Sequence, residues 1–223
     1  MPSKRSPSEQ TLRRQVVEAG HRLWTRGLMA ASDGNLSVRL SPTRLLITPA
    51  GVNKGRLASS DLLVVDLDGK PRGGPRGRRP STETPMHLEV YRAVPSAGAV
   101  VHAHPPFATA LTVAGLPFPS DMLPEIAATL GEVPVTEIAM PGTAEDAAAV
   151  RPWVAKYRAM LLPNHGSLTY GSTLEEAITH LERVEHAAMV YWLAASMGSV
   201  NRLPADLMAR LVAWRQSQPG YDA

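Results

Sequence analysis

Cysteine is absent from all 223 residues. Disulfides, thiolate nucleophiles and cysteine-ligated zinc are therefore excluded together, and any metal site has to be built from His, Asp and Glu. No segment approaches the roughly 20 apolar residues of a membrane helix. The opening MPSKRSPSEQ has no apolar stretch of the kind a secretory signal needs, so the expectation is a cytoplasmic protein without a membrane partner. Neither sign of charge dominates: 23 Lys and Arg against 20 Asp and Glu give +3. Much of that excess sits in one cluster, Arg72, Arg76, Arg78 and Arg79, rather than on a basic face, which gives nucleic-acid binding little support. Lysines number four, at positions 4, 54, 70 and 156. None falls in an apolar strand where desolvation would favour Schiff-base chemistry, so a metal is the better electron sink.

What is present is ordinary globular composition, 44% apolar and 19% charged, enough for a real core. No linker and no internal repeat divides the pattern, so one domain is expected over residues 1–223, with its core at about 10–200 and a C-terminal helix at about 204–217.

From Ser8 to Leu28 the apolar residues Leu12, Val16, Ala19, Leu23 and Trp24 recur at helical steps, with Ser8 placed to cap. SDGNLSVRL, RLLITPAG and DLLVVDLDG read as strands broken by Gly and Pro. KPRGGPRGRRP reads as an exposed loop leading into a helix in STETPMHLEVYRAV, with Pro85 in its first turn. AVVHAH reads as a buried strand, PFATALTVAG as a short helix, VPVTEIA as a strand, and TAEDAAAVRPWVAKY as a helix that kinks or restarts near Pro152. AMLLPNHG and SLTYG add two strands. Thr173 with Glu176 forms a capping-box pattern that opens a long helix, and PADLMARLVAWRQ is the last helix. Strands and helices mix without strict alternation, which argues for an α/β layered domain with a mixed or largely antiparallel sheet.

Three histidines stand out. His102 and His104 are two apart in a strand, so both rings should leave the same side, where they could share an ion or serve as hydrogen-bonded structural groups. His165 follows another apolar strand in PNHG, at a turn that could swing its ring towards the pair. Three histidines with open positions would make a catalytic rather than a closed metal site. Glu83 stands at a helix start, where it is either a cap favoured by the helix field or an acid/base that also reaches the metal. Asp33-Gly34-Asn35, Ala50-Gly51 and Ser81-Thr82 are small polar clusters at element ends. Each alone reads as a turn or cap, and together they could cradle a phosphate with main-chain N–H groups. His21, His87, His180 and His186 lack a ligand partner at the right spacing and read as structural or exposed. Arg78 or Arg79 could reach an anion if their loop folds over Glu83.

In order, DGNLS (33–37), ITPAG (47–51), STETPMH (81–87), VVHAHP (100–105) and LPNHG (162–166) resemble the motifs of the class II aldolase and adducin family, over about residues 10–200. Fuculose-phosphate and rhamnulose-phosphate aldolases and ribulose-phosphate 4-epimerase belong to that family. The resemblance implies a three-layer α/β/α fold around a largely antiparallel sheet, and a homotetramer with active sites at subunit junctions. It implies one divalent ion per subunit, zinc as first choice with manganese or cobalt as alternatives, held by His102, His104 and His165, with Glu83 as acid/base and, in some members, a fourth ligand. Gly34, Asn35, Gly51, Ser81 and Thr82 would bind phosphate.

Two features depart from the family pattern. Ala50 stands where Ser or Thr is usual, and Thr48 where the epimerases have Lys. The tyrosine acid of the aldolases has no clear match either; Asp121 and Glu125 lie in the corresponding segment, and Glu125 is the candidate second acid/base. The implied activity on a small-molecule substrate is retro-aldol cleavage of a sugar phosphate or related hydroxy-keto compound through a metal-stabilised enediolate. The alternatives are decarboxylation of a hydroxylated acid, 4-epimerisation, or a non-catalytic adducin-like interaction module.

Overall fold

Alternation along the strands decides the layers. In the computed structural model, which describes residues 7–218, β2 (Arg44–Ile47) sends Leu46 to one face and Leu45 and Ile47 to the other. β3 (Leu63–Asp66) does the same with Val64 against Leu63 and Val65. Both faces of the sheet are thus apolar and both must be covered. One face packs on α1 (Glu9–Thr25) and α6 (Leu174–Ser196), through Val16, Ala19, Leu23, Ile178 and Leu181. The other packs on α2 (Thr84–Ala93) and α5 (Ala144–Val150), through Met86, Val90, Tyr91 and Val150. A third cluster joins α3 (Pro106–Val113), α4 (Pro124–Thr129) and α6 to β6 (Ala159–Leu162).

The sheet has seven strands in the order β4-β3-β2-β1-β5-β7-β6, with β1 at Asn35–Ser41, β4 at Pro71–Gly73, β5 at Ala99–Ala103 and β7 at Gly166–Gly171. Every strand pair in it is antiparallel. This is the expected three-layer fold around an antiparallel sheet. α7 (Ala205–Gln216) packs on α4, with the Arg215 Nη1 donating to Ala127 O at 2.9 Å. No described helix is long and apolar enough to cross a membrane. The reading of the N-terminus rests in part on residues 1–6, which lie outside the described residues.

Ser8 caps α1 as expected, accepting from Thr11 N at 3.2 Å, and Thr173 Oγ1 caps α6 by accepting from Glu176 N at 3.1 Å. Three local expectations need correction. VPVTEIA is not a strand: it makes one isolated bridge, Val135 to Leu161, because Pro134 has no N–H to continue the ladder. The Gly-, Pro- and Arg-rich loop contains the short edge strand β4, all of it exposed. The helix opening at Ala144 ends at Val150, with Arg151 as its cap, since Pro152 has no N–H to continue the helical ladder and residues 151–156 run on as turns.

Candidate active site

β1 and β5 pair so that Asn35 lies opposite His102 and Ser37 opposite Val100. Period-two alternation then sends Asn35, Ser37 and His102 to the face covered by α2. His102 is fully buried, and its Nδ1 lies 2.9 Å from Ser167 O. A carbonyl only accepts, so Nδ1 carries the proton and Nε2 presents a lone pair. His104 follows directly after β5, its backbone N–H donating to Leu28 O at 3.0 Å. His165 sits in the hairpin turn between β6 and β7, where Asn164 takes the left-handed conformation at φ 56°, one that asparagine tolerates. Gly166 lets that turn approach β5: a Cβ there would stand 2.3 Å from Ala103 O.

These placements converge. The three imidazole rings have centroids 4.7–4.9 Å apart, and their ligand atoms all lie within 4.8 Å of one another. His102 Nε2 and His104 Nε2 are 3.0 Å apart. Nitrogens bound at 2.0–2.1 Å to one tetrahedral ion are separated by roughly 3.3 Å, so the donor set fits a single divalent cation. An all-imidazole set suits zinc and several other divalent metals.

Glu83 stands in the N-cap position of α2 but makes no side-chain capping bond, which removes the cap reading. Its carboxylate turns to the histidines instead: Oε2 lies 3.4 Å from His102 Nε2, and Oε1 lies 3.1 Å from His165 Nε2. Asn35 Nδ2 donates to Oε2 at 2.6 Å. Burial opposes ionisation of Glu83, but the His102 and His165 imidazoles and the Asn35 bond outweigh it and hold the carboxyl well below the usual carboxylate range. Burial pushes His102 and His104 down to about 4, which keeps both rings neutral and able to ligate. For His165 burial acts in the same sense, but the bond to Glu83 and the nearby carboxylates leave it raised.

The site opens into a polar cavity of about 300 Å³, lined among others by Gly34, Asn35, Gly51, Ser81, Thr82, Glu83, His104 and His165. The three loop clusters singled out in the sequence thus meet at one place, with Gly34 at φ 72° and Gly51 at φ 67°. A Cβ on Gly34 would stand 2.9 Å from His102 O, so this turn has to be glycine for its loop to lie against β5. Glu125 is not brought in: it is exposed in the first turn of α4 and does not line the cavity. Arg78 and Arg79 are also exposed and outside the lining, and Arg78 pairs with Asp61 at 3.2 Å. A larger open cleft of about 1210 Å³ lies between α1, the β1–β2 turn and the start of α6. It holds none of the site's histidines.

Two residues of the site escaped the sequence reading. His87 is structural, as expected, yet it supports the site. Its Nε2 lies 2.5 Å from Asn35 Oδ1, and its Nδ1 lies 2.7 Å from Ser37 Oγ, which is 2.9 Å from the Tyr91 hydroxyl. Asn35 Oδ1 only accepts, so donation runs in one direction: Tyr91 to Ser37, Ser37 to His87, His87 to Asn35, and Asn35 to Glu83. Burial pushes His87 down to about 4, so the ring stays neutral and keeps one donor and one acceptor. The available signal was Glu83 and His87 at i, i+4 on one helix face. The other residue is Lys54, 2% exposed and part of the cavity lining; its signal was its place just after the Ala50-Gly51 turn.

Residues 14–192 match the family model for the class II aldolase and adducin N-terminal domain. The chain is 35% identical over 201 residues to a 5-methylthioribulose-1-phosphate/5-deoxyribulose-1-phosphate aldolase of Rhodospirillum rubrum, covering 90% of this chain and 89% of that one. It is 38% identical over 188 residues to a methylthioribulose-1-phosphate dehydratase of Acidiphilium cryptum, covering 77% and 85%. Among solved structures, YgbL of Klebsiella pneumoniae, whose name leaves aldolase, epimerase and decarboxylase open, superposes with a TM-score of 0.85 at 34% identity over 92% of this chain and 100% of that one. The chain belongs to the class II aldolase and adducin family.

Proposed function

We propose that the protein is a divalent-metal-dependent lyase that cleaves a carbon–carbon bond beside the carbonyl of a sugar phosphate or related hydroxy-keto compound. The observation that carries this reading is the Glu83 carboxylate held 3.1–3.4 Å from two imidazoles of a three-histidine cluster at the wall of a small polar cavity. His102, His104 and His165 would hold the ion, which when bound supplies Lewis-acid stabilisation of oxyanion charge. Glu83, ionised and oriented by Asn35, accepts the proton of the substrate hydroxyl as the carbon–carbon bond breaks. It returns that proton to the carbon that keeps the electron pair, so the cleavage balances without a co-reactant.

Glu125 can share the proton transfer only from a neighbouring copy, because it is outside the cavity of its own chain. A homotetramer with sites at subunit junctions would supply one. The exposed Ile138 and Met140, 71% and 66% accessible, adjoin Pro141 of the cavity lining and favour a covered rim.

Glu83→Gln preserves shape and one hydrogen-bond acceptor but removes the base. With the metal still bound, kcat for aldehyde release from ketose 1-phosphates is expected to fall by roughly 10²–10⁴-fold. Full activity in chelated protein would overturn the proposal. A second reading, decarboxylation, also leaves an electron pair beside a carbonyl and is favoured by Ala50, which takes a hydroxyl away from the anion-binding end. Release of carbon dioxide from carboxylated substrates, with no aldehyde from the ketose phosphates, would select it.

A further inference from the structure

Lys54 lies in a 3-10 turn, Lys54–Arg56, that Asn53 caps by accepting from Gly55 N at 2.8 Å. Two glycines press that turn against α1. A Cβ on Gly20 would stand 2.7 Å from Lys54 O, and a Cβ on Gly55 would stand 2.5 Å from the Trp24 ring. The backbone of Lys54 is therefore fixed, and its side chain enters beneath the cavity. Nζ donates to Ser32 O at 2.6 Å and to Val52 O at 2.8 Å. These carbonyls belong to the two loops that carry the Gly34 and Gly51 turns.

An ammonium has three N–H donors, and the structure uses two. Among the described residues no carboxylate comes within 4.0 Å of Lys54, although Asp33 and Glu83 act on it at longer range; burial outweighs them and lowers its pKa to about 8. A buried cation with one donor left and no ion-pair partner is costly. Here it borders a cavity whose other walls supply Ser81 and Thr82 hydroxyls and two left-handed turns with backbone N–H groups. Ala50 contributes no hydroxyl, so the anion-binding end gains a charge where it lacks a neutral donor.

We infer that Lys54 is a specificity-determining residue that recognises a phosphate group of the substrate through its third N–H, between the Gly34 and Gly51 turns. This rests on the reading of the cavity as the substrate site. Lys54 joins both loops through their carbonyls and presents its charge where they meet, so phosphate recognition and loop geometry depend on one side chain.

The test uses the metal-loaded full chain with inorganic phosphate as probe. Calorimetry is expected to show phosphate binding to the wild type and a loss of roughly tenfold to a hundredfold in Lys54→Met, with unchanged metal content by elemental analysis. A folded Lys54→Met with wild-type phosphate affinity, or a wild type that binds no phosphate, would overturn the inference. A crystal structure of the wild type grown in phosphate does not depend on how the variant folds. Lys54 Nζ within hydrogen-bond distance of a phosphate oxygen supports the assignment, whereas phosphate found only on the metal or only on backbone N–H groups refutes it. Stoichiometric metal at the three histidines without phosphate at Lys54 sinks this inference and leaves the metal-dependent lyase standing. Phosphate on Lys54 in a protein that binds no divalent ion supports it and sinks the lyase.

Discussion

Replacing His87 with leucine deletes the middle of the hydrogen-bond chain that runs from Tyr91 to Glu83. Leucine fills much of the space, but among buried groups Asn35 Oδ1 loses its donor from His87, and the Ser37 hydroxyl loses its acceptor and keeps only Tyr91. Leaving a buried polar group unsatisfied costs about 1–3 kcal/mol, so the variant is expected to be about 2–4 kcal/mol less stable at pH 7.5. That gap should narrow in acid. Burial holds folded His87 at about 4 against an ordinary value of 6.5, so between those values the unfolded chain binds a proton that the folded protein does not. The stability tied to neutral His87 is complete above pH 6.5 and is lost as pH falls towards 4. At 1.36 kcal/mol per unit, wild type gives up about 2 kcal/mol of it between pH 6.5 and pH 5. His87→Leu has no such group, and the other titrations are common to both proteins and largely cancel in the difference. Urea unfolding of both chelated proteins, followed by far-UV circular dichroism at pH 7.5, 6.5 and 5, measures the gap. A gap that stays constant across that range would refute the reasoning.

His104→Ala leaves two imidazoles and is expected to lose bound divalent ion and to cut activity by more than the roughly 10–100-fold typical of outer-shell changes; elemental analysis beside the aldehyde assay reads both. Gly34→Ala puts a Cβ 2.9 Å from His102 O at a backbone φ of 72°, and should cost about 1–3 kcal/mol. The measurement is a thermal melt with metal stoichiometry, and a variant with wild-type melting temperature and metal content contradicts the account of this turn.

The sheet and its order of elements were legible because they rest on periodicity and turn chemistry, which are local, whereas the joining of His165 to the His102 and His104 pair was firm only through the family resemblance. Alternation in VHAHP correctly put His102 and His104 on one side, and Asn-His-Gly at a strand end correctly marked the turn that delivers His165. The helix-cap reading of Glu83 failed for a reason that no local pattern contains: the positions β1 and β5 place opposite α2 hold Asn35 and His102, and these draw the carboxylate away from the helix. The segment at Val133–Ala139 misled because its β-branched residues suit a strand, but Val133, Pro134 and Thr136 are buried without alternation, and Pro134 limits it to one bridge. Lys54 was passed over because it lies in a polar loop, and its burial comes from Gly20 and Gly55 admitting that loop against α1.

Position 48 bears on which reaction this architecture serves. The sequence resemblance implies a lysine there in the epimerases, whereas Thr48 is fully buried and its Oγ1 accepts the Leu36 N–H at 3.1 Å while its own N–H donates to Leu36 O at 3.0 Å. The side chain is thus committed to the β1–β2 seam and does not line the cavity, so no cation reaches the substrate from that strand. The cation at the cavity is Lys54, which enters from the following loop and is tied to the carbonyls of residues 32 and 52. A charge delivered from there sits with the Gly34 and Gly51 turns, where, on the inference above, it would hold a substrate by its anionic end. By the resemblance drawn from the sequence, epimerisation would ask for a lysine at position 48, where this chain has Thr48. Cleavage and decarboxylation ask for the same two things from this chain, an anion held at one end and a proton exchanged by Glu83 at the other. On the proposed reading, what would separate them is which bond lies beside the carbonyl when the anion is seated, a matter of the distance from Lys54 to the histidines.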